Sequence, residues 1–417
     1  MTKYENLMDP QVQSCPYSLY KRLRLKDPVY HMPETGFYLI TSFEHCNEVI
    51  RQPDLFSSGV SPMALQPEGV PKEVIEVYET KGWLPKASCS TSDPPRHTWV
   101  RKLLSELFTV AKVKEMTPFI EQTATKLIDN FSSNGKCEFV KDFAHPLPML
   151  VIANQIGVKP QDIKKFKEWS DAIVEPFSMM ISREREIECA NLVVEMQRYF
   201  SELISLRKEN PSNDLLSIIA NAKDDKNEDL KMDEMLSIIT IDLLASGNET
   251  TTAAISSGLL MLIDSPETFQ KLKSNSQLIP NFVEEILRLE SPAQGMFREV
   301  QKDTNLGGID LKAGDILSLR FGSANRDEKR FSNPENIILD RKPSGGHLAF
   351  GVGRHHCIGA PLARQELISS FKVLIKKLSD IELIEIDKPI KYTPSFFGRN
   401  PETVSYTHLT LPTNSRV

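Results

Sequence analysis

The sequence predicts a mainly helical α+β fold forming one large domain, and three observations carry that expectation. Helix signals dominate from Ala111 to about Ser379, with apolar residues recurring at three- and four-residue spacing. Short β-rich runs flank that region, near the start of the chain and after Pro292. One apolar stretch, from Asp233 to Ile263, would make a helix of roughly 46 Å, enough to cross a whole domain.

Taken in order, a helical patch over Tyr17 to Leu25 precedes two β-rich runs, PVYHM and FYLITSF. Pro33, Glu34, Thr35 and Gly36 separate them, which reads as a hairpin. Met116, Ile120, Ala124, Leu127 and Phe131 then build one apolar stripe, expected in the core. Residues 223–230, KDDKNEDL, are charged and aperiodic, a solvated connection. The long helix is expected to start with Asp233 as N-cap and to stop at Ser265 and Pro266. Asp242, Gly247, Asn248 and Glu249 interrupt its apolar centre. Gly247 costs about 1 kcal/mol relative to Ala there, which calls for a reason. The run GDILSLRF gives a strand, loops follow through Asn325, Arg326 and Asp327 to Gly353, and a further helix begins near Ala360.

Composition excludes several classes. Of 417 residues, 40% are hydrophobic and 25% charged, values of a soluble globular protein and not of a collagenous, low-complexity or disordered chain. The balance of 50 Lys+Arg against 56 Asp+Glu leaves a net charge of −6, so nucleic acid is not an expected partner. Six cysteines without a CxxC pair are expected to be reduced thiols in a cytoplasm. Neither an export leader nor a run of 18 apolar residues is present, so no membrane anchor is expected and the location is read as cytoplasmic.

Four groups of residues bear chemistry. In FGVGRHHCIG, residues 350–359, Gly351 and Gly353 bend a loop ahead of Cys357, and Gly359 lets the next helix approach closely. A thiolate there, just before a helix N-terminus, would be stabilised by backbone N–H groups and the helix dipole, and could bind a metal. The plain alternative is a buried structural cysteine in a turn. His356 stands where a dinucleotide loop needs its third glycine. A zinc site of His347, His355, His356 and Cys357 has suitable ligand types, but three are consecutive and cannot all point at one ion.

Glu285 and Arg288 lie at i, i+3 on one helix face, which alone reads as a surface ion pair. In ASGNETTT, residues 245–252, threonines that bond back to earlier carbonyls, together with Gly247, would open the helix locally. An acid and a hydroxyl at such a turn can relay protons; a packing kink is the alternative. His97 and Arg101, one turn apart after DPP, suit an anionic group or solvent equally.

Together, in this order and over nearly the whole chain, the four groups resemble the cytochrome P-450 superfamily of haem-thiolate monooxygenases, in its soluble bacterial form. The resemblance implies one haem-thiolate domain over residues 1–404, with a long central helix over haem b and small β-sheets. It implies Cys357 as the iron ligand, Phe350 packed beside it, and Gly353 and Gly359 shaping the loop; a thiolate donates electron density that favours O–O cleavage. His97, Arg101, Arg298 and His355 match positions that bind the haem propionates. Glu285 and Arg288, joined by Arg341, match a buried structural group on the proximal side. Thr250 and Glu249 match the alcohol and acid that deliver protons during O2 activation.

Ser246 departs from the usual Ala or Gly. Asp242 falls where the family often has an apolar pocket residue: facing the cavity it would favour a substrate with a hydroxyl or amine, and facing away it is a satisfied helix acid. The pocket is expected to be lined by Asp242, Ala245, Ser246, Gln294, Met296, Phe396 and Phe397, with Phe177, Met179 and Met180 on a distal cover. Such a lining suits a mostly apolar small molecule such as a terpenoid, steroid or fatty acid. The implied reaction is hydroxylation with O2 and two electrons from a separate partner, a ferredoxin with its ferredoxin reductase. Lys102, Arg354 and Arg364 are the expected docking cations, and a monomer is expected. A peroxide-using haem-thiolate enzyme and a non-catalytic haem-binding sensor are the alternatives, both disfavoured by the acid–alcohol pair. Where the family closes with an apolar strand, VSYTHLTLPTNSRV is rich in Thr and Pro, so residues 405–417 are expected to be a disordered or non-native tail.

Overall fold

The apolar stripe over Met116–Phe131 folds as expected, and the helices around it set the frame of the molecule. In the computed structural model, which describes residues 4–60, 65, 69–342, 346–384 and 388–410, it lies on the helix Val110–Ser132. Met116, Ile120, Ala124 and Phe131 are buried there and Leu127 is half-buried. This helix packs against Ala360–Lys377, which in turn meets both Ile279–Glu290 and the central helix. Their inward faces share one large apolar core.

The central helix runs unbroken from Met232 to Asp264 in three stretches: α-helix over Met232–Ser237, π-helix over Ile238–Ala245 and α-helix over Ser246–Asp264. Its N-cap is Lys231, and Asp233, expected in that role, instead pairs with Lys86 at 3.1 Å. Pro266 opens the next helix, Pro266–Ser274, and marks the break as expected. The opened turn lies upstream of Gly247: the Ser246 hydroxyl donates to the Ile241 carbonyl five residues back, at the end of the wide stretch. Thr250, Thr251 and Thr252 each bond back four residues, to Ser246, Gly247 and Asn248, all at 3.0 Å.

The expected hairpin forms, with Val29–His31 antiparallel to Tyr38–Ile40. It continues through Ile316–Arg320 and Gly295–Val300 to Phe56–Ser57, giving a five-stranded sheet in which only Tyr38–Ile40 and Ile316–Arg320 run parallel. Gly295 is required at this crossing, since a Cβ there would stand 2.0 Å from the Leu319 carbonyl oxygen.

The expectation of a disordered tail from residue 405 needs correction. Ser405–Thr410 is the middle strand of a three-stranded sheet, antiparallel to Lys136–Glu138 and Leu378–Leu383. Tyr406 and His408 point inward and are buried while Thr407 and Leu409 face out, the period of a strand. Threonine favours strands, so a Thr-rich composition was no sign of disorder. Residues 411–417 lie outside the described residues. No helix among the described residues is long and apolar enough to cross a membrane.

Candidate active site

Cys357 stands in the loop that enters the helix Ala360–Lys377. Gly351 and Gly353 take φ values of +62° and +69°, the left-handed region that side chains avoid. These turns let the Cys357 N–H donate to the Phe350 carbonyl at 2.8 Å, and the Phe350 ring lies 4.5 Å from the Arg364 guanidinium. The cysteine is free of any disulfide. Burial pushes its thiol up, while the Gly359 amide, Arg101, the Ala360 amide and Arg364 draw it down. A Cβ on Gly359 would meet only the Cys357 Sγ, at 3.9 Å, so packing within the protein does not demand glycine there. Glycine leaves bare the face beside the sulfur.

Around this loop lies a set of cationic or donor groups, His97 and Arg298 buried and Arg101 and His355 half-buried, with Asp93 as the nearby carboxylate, itself held by the Ser57 hydroxyl and the Ser58 amide. His97 sits in the first turn of the helix Arg96–Leu107, and its ring centroid is 4.3 Å from that of His355. His97 Nε2 and both ring nitrogens of His355 are buried with no hydrogen-bond partner. Arg298, from the strand Gly295–Val300, is buried and donates to the Phe297 carbonyl at 2.6 Å. Arg101 donates to the carbonyl of His356, next to the cysteine. Burial, then Arg298 and His97, push His355 down to about 3; burial, then Arg101 and Arg354, lower His97. Burial likewise lowers Arg298 to about 10. Buried ring nitrogens without partners, beside two arginines that donate only to backbone carbonyls, can take up carboxylates, and a dicarboxylate porphyrin with an iron for Cys357 fits this donor set.

The zinc alternative finds no such fit. His347 is engaged elsewhere, with Nε2 3.2 Å from Glu284 and Nδ1 accepting from the Ala349 amide.

Glu285 and Arg288 are buried, not a surface pair. Arg288 Nε and Nη2 donate to the two Glu285 oxygens at 2.8 and 2.9 Å, and Arg341 and the Ile338 amide add two more donors at 2.9 Å. The remaining Arg288 hydrogens reach the carbonyls of Asn325, Pro334 and Asn336. Burial alone would raise the Glu285 carboxyl, but Arg288 leads a set of donors that holds it below the ordinary range. The group clamps the stretch 325–341 that precedes the cysteine loop.

On the central helix, Ser246 and Gly247 are exposed although the following turns are buried, and a Cβ on Gly247 would meet nothing within 4 Å. This turn therefore borders open space. The Thr250 hydroxyl donates to the Ser246 carbonyl on that turn. The neighbouring Glu249 accepts from the side-chain amide of Asn400. Burial raises its carboxyl to about 7 against the lowering effect of Asn400, with Asp171 and Glu175 adding to the rise. Asp242 accepts from the Cys89 amide at 2.8 Å, and burial raises its carboxyl to about 7. Of the two readings of Asp242, the satisfied acid is the one the hydrogen bond favours: it ties the segment before the helix Arg96–Leu107 to the central helix.

The expected pocket set divides. Ala245, Met296 and Phe397 are half-buried, as are Phe177, Met179 and Met180. Phe396 is a correction: it is 1% exposed, stacked 5.9 Å from Phe297 with the Arg320 guanidinium 4.7 Å from its ring, and belongs to the core. Gln294 is another, since its amide donates to the carbonyls of Glu290 and Ser291 at 2.8 Å and its side chain is buried. Lys102 is exposed, whereas Arg364 grips Glu284 with bonds of 2.6 and 3.0 Å and Arg354 lies 3.7 Å from Asp54. Sequence reasoning missed Asn400 and Glu284. Asn400 lies 151 residues from the acid it serves, and no local motif marks such a donor.

Comparison with known proteins gives the family. The family profile described as cytochrome P450 matches residues 66–406. The steroid C26-monooxygenase of Mycolicibacterium smegmatis is 31% identical over 387 residues, covering 92% of this chain and 90% of that protein. The structure of cytochrome P450 CYP109Q5 from Chondromyces apiculatus superposes with a TM-score of 0.86 at 33% identity, over 99% of this chain and 100% of that one. P450BioI, solved in complex with an acyl carrier protein ligated to hexadec-9Z-enoic acid, gives 0.84 at 30% identity, over 96% and 99%. The family match makes this a haem-dependent monooxygenase, with the Cys357 loop entering the helix Ala360–Lys377 on which the long central helix packs. The chain belongs to the cytochrome P450 family.

Proposed function

We propose that this monooxygenase hydroxylates a mostly apolar small molecule of the steroid, terpenoid or fatty-acyl kind, using O2 and two electrons from a separate ferredoxin with its reductase. The observation that carries the reading is the free Cys357 beside buried, unpaired His97 and His355 nitrogens and Arg298. Cys357 would ligate the iron of haem b, and His97, Arg101, Arg298 and His355 would hold its carboxylates. When bound, the haem supplies the activation of O2 and the oxidation of the C–H bond.

The chain's own part is binding, orientation and proton control. Glu285, Arg288 and Arg341 fix the proximal stretch so that the cysteine loop keeps its shape. Glu249, with a carboxyl near neutrality, can hold a proton at physiological pH and release it, as a general acid requires. Thr250 presents its hydroxyl at the turn of Ser246 and Gly247 and moves the proton on by rotating Oγ1 off the Ser246 carbonyl. Half-buried Ala245, Met296 and Phe397 would contact the substrate and exclude water. The steroid and fatty-acyl names among the relatives support this substrate class.

A binding screen tests the proposal. Steroids, terpenoids and long-chain fatty acids are titrated into the haem-loaded protein, and hits are incubated with a ferredoxin, its reductase and NADPH. At least one class should shift the haem absorption and yield a product heavier by one oxygen atom. Only small, strongly polar compounds giving both signals would overturn the substrate class.

A further inference from the structure

Among the described residues, the Glu249 carboxylate has one hydrogen-bond donor, the side-chain amide of Asn400. Asn400 belongs neither to the central helix nor to the cysteine loop. It closes the segment Ser395–Asn400, which also carries Phe397. This segment is clamped from behind. The Asn400 carbonyl accepts from the Thr393 amide at 2.9 Å, the Arg399 amide donates to the Pro292 carbonyl at 3.1 Å, and Gln294 N–H donates to the Phe397 carbonyl at 2.8 Å. The Arg399 side chain donates to the Ser14 carbonyl at 3.0 Å, pairs with Glu290, and lies 3.8 Å from the Tyr392 ring. A backbone held at so many points fixes where the Asn400 amide can reach.

We propose that Asn400 is a positioning residue for proton delivery, its amide holding the Glu249 carboxylate in the orientation from which the proton moves. The inference rests on the reading of Glu249 given above. Glu249 has two neighbouring carboxylates, Asp171 and Glu175, that disfavour its ionised form. Both have cationic partners of their own: Asp171 lies 3.2 Å from His145 and 2.7 Å from Lys167, and Glu175 binds Arg185 through both oxygens. Their nearest cations are thus occupied, and Asn400 is the group left to stabilise the Glu249 anion. Because Phe397 and Asn400 share one clamped segment, a substrate that displaces Phe397 would also act on the acid.

The test reads Glu249 directly. Infrared difference spectra are recorded over a pH titration of the haem-loaded protein, and the carboxyl band of Glu249 is assigned by its loss in Glu249→Gln. Asn400→Leu removes the donor at similar volume. It should raise the midpoint of that band by about one pH unit, tenfold in proton affinity. It should also lower product formed per O2 consumed several-fold while leaving the substrate KM within twofold. If Asn400→Leu does not fold, Asn400→Asp keeps the shape, replaces the donor by an acid, and should raise the midpoint further. An unmoved band, or unchanged product per O2, in the folded variant would overturn the role of Asn400 whatever Glu249 does. Full product per O2 in Glu249→Gln alongside a moved band in Asn400→Leu would overturn the proton-delivery reading instead, and with it the positioning role, while leaving the contact itself in place.

Discussion

Thr250 shows how little a residue needs in order to matter. Its hydroxyl makes one bond, to the Ser246 carbonyl, on a turn that borders open space, so its contribution to stability is small. Thr250→Ala should therefore change the unfolding free energy by less than about 1 kcal/mol. Product formed per O2 consumed should nevertheless fall by roughly tenfold or more, the scale of a lost proton-transfer group. Parallel measurements of denaturant unfolding and of O2 and product check both, and an undiminished yield would remove Thr250 from the relay. Glu285 with Arg288 and Arg341, and His97 with His355, were legible as groups because the motifs that carry the resemblance fix their residue types and order, although Glu285 and Arg288 taken alone read as a surface pair. Phe396 and Gln294 were misread for the opposite reason. An apolar or amide residue near a pocket can face into it or brace its wall, and only the packing against Phe297, Arg320 and the Glu290 carbonyl decides.

Helices are held at this site by close approach and by charge. Gly258 lies where the central helix meets Ile279–Glu290 and Ala360–Lys377, and a Cβ there would stand 2.4 Å from Phe371 Cζ and 2.5 Å from Ile286 Cδ1. Both of those side chains are fully buried and have no room to swing aside. Gly258→Val should destabilise the fold by about 1–3 kcal/mol through overpacking, read as a lower thermal midpoint; an unchanged midpoint would show that the contact yields. Glu284 links the helix Ile279–Glu290 to His347 and to Arg364 on the next helix. Burial would raise its carboxyl, but His347 and then Arg364 hold it at about 2. A folded-state value below the ordinary 4.5 means that the stabilisation is complete above pH 4.5 and is lost as pH falls toward 2. The loss amounts to about 3 kcal/mol, and Glu284→Gln should flatten that acid limb of the stability curve. An acid limb as steep as that of the unaltered protein would assign the link no such role. At this scale periodicity read the long helix and the hairpin correctly. It could not see the π-helical stretch over Ile238–Ala245, where the side-chain pattern stays apolar while the hydrogen bonding widens.

Across the whole molecule, the cysteine loop enters a helix on which the long helix with its acid and alcohol packs, and buried histidine nitrogens without partners lie beside that loop. The chain order of the motifs pointed to this architecture, whereas the strand Ser405–Thr410 was hidden because one of its partners, Lys136–Glu138, is far away in sequence. The central claim is that Cys357 ligates a haem whose carboxylates satisfy the His97, His355 and Arg298 cluster. An absorption spectrum of the haem-loaded protein, reduced and exposed to carbon monoxide, tests it most directly. The account predicts a Soret band displaced strongly to the red, lost in Cys357→Ser while the fold persists. A band at the position of a histidine-ligated haem, or a displaced band that survives Cys357→Ser, would contradict it.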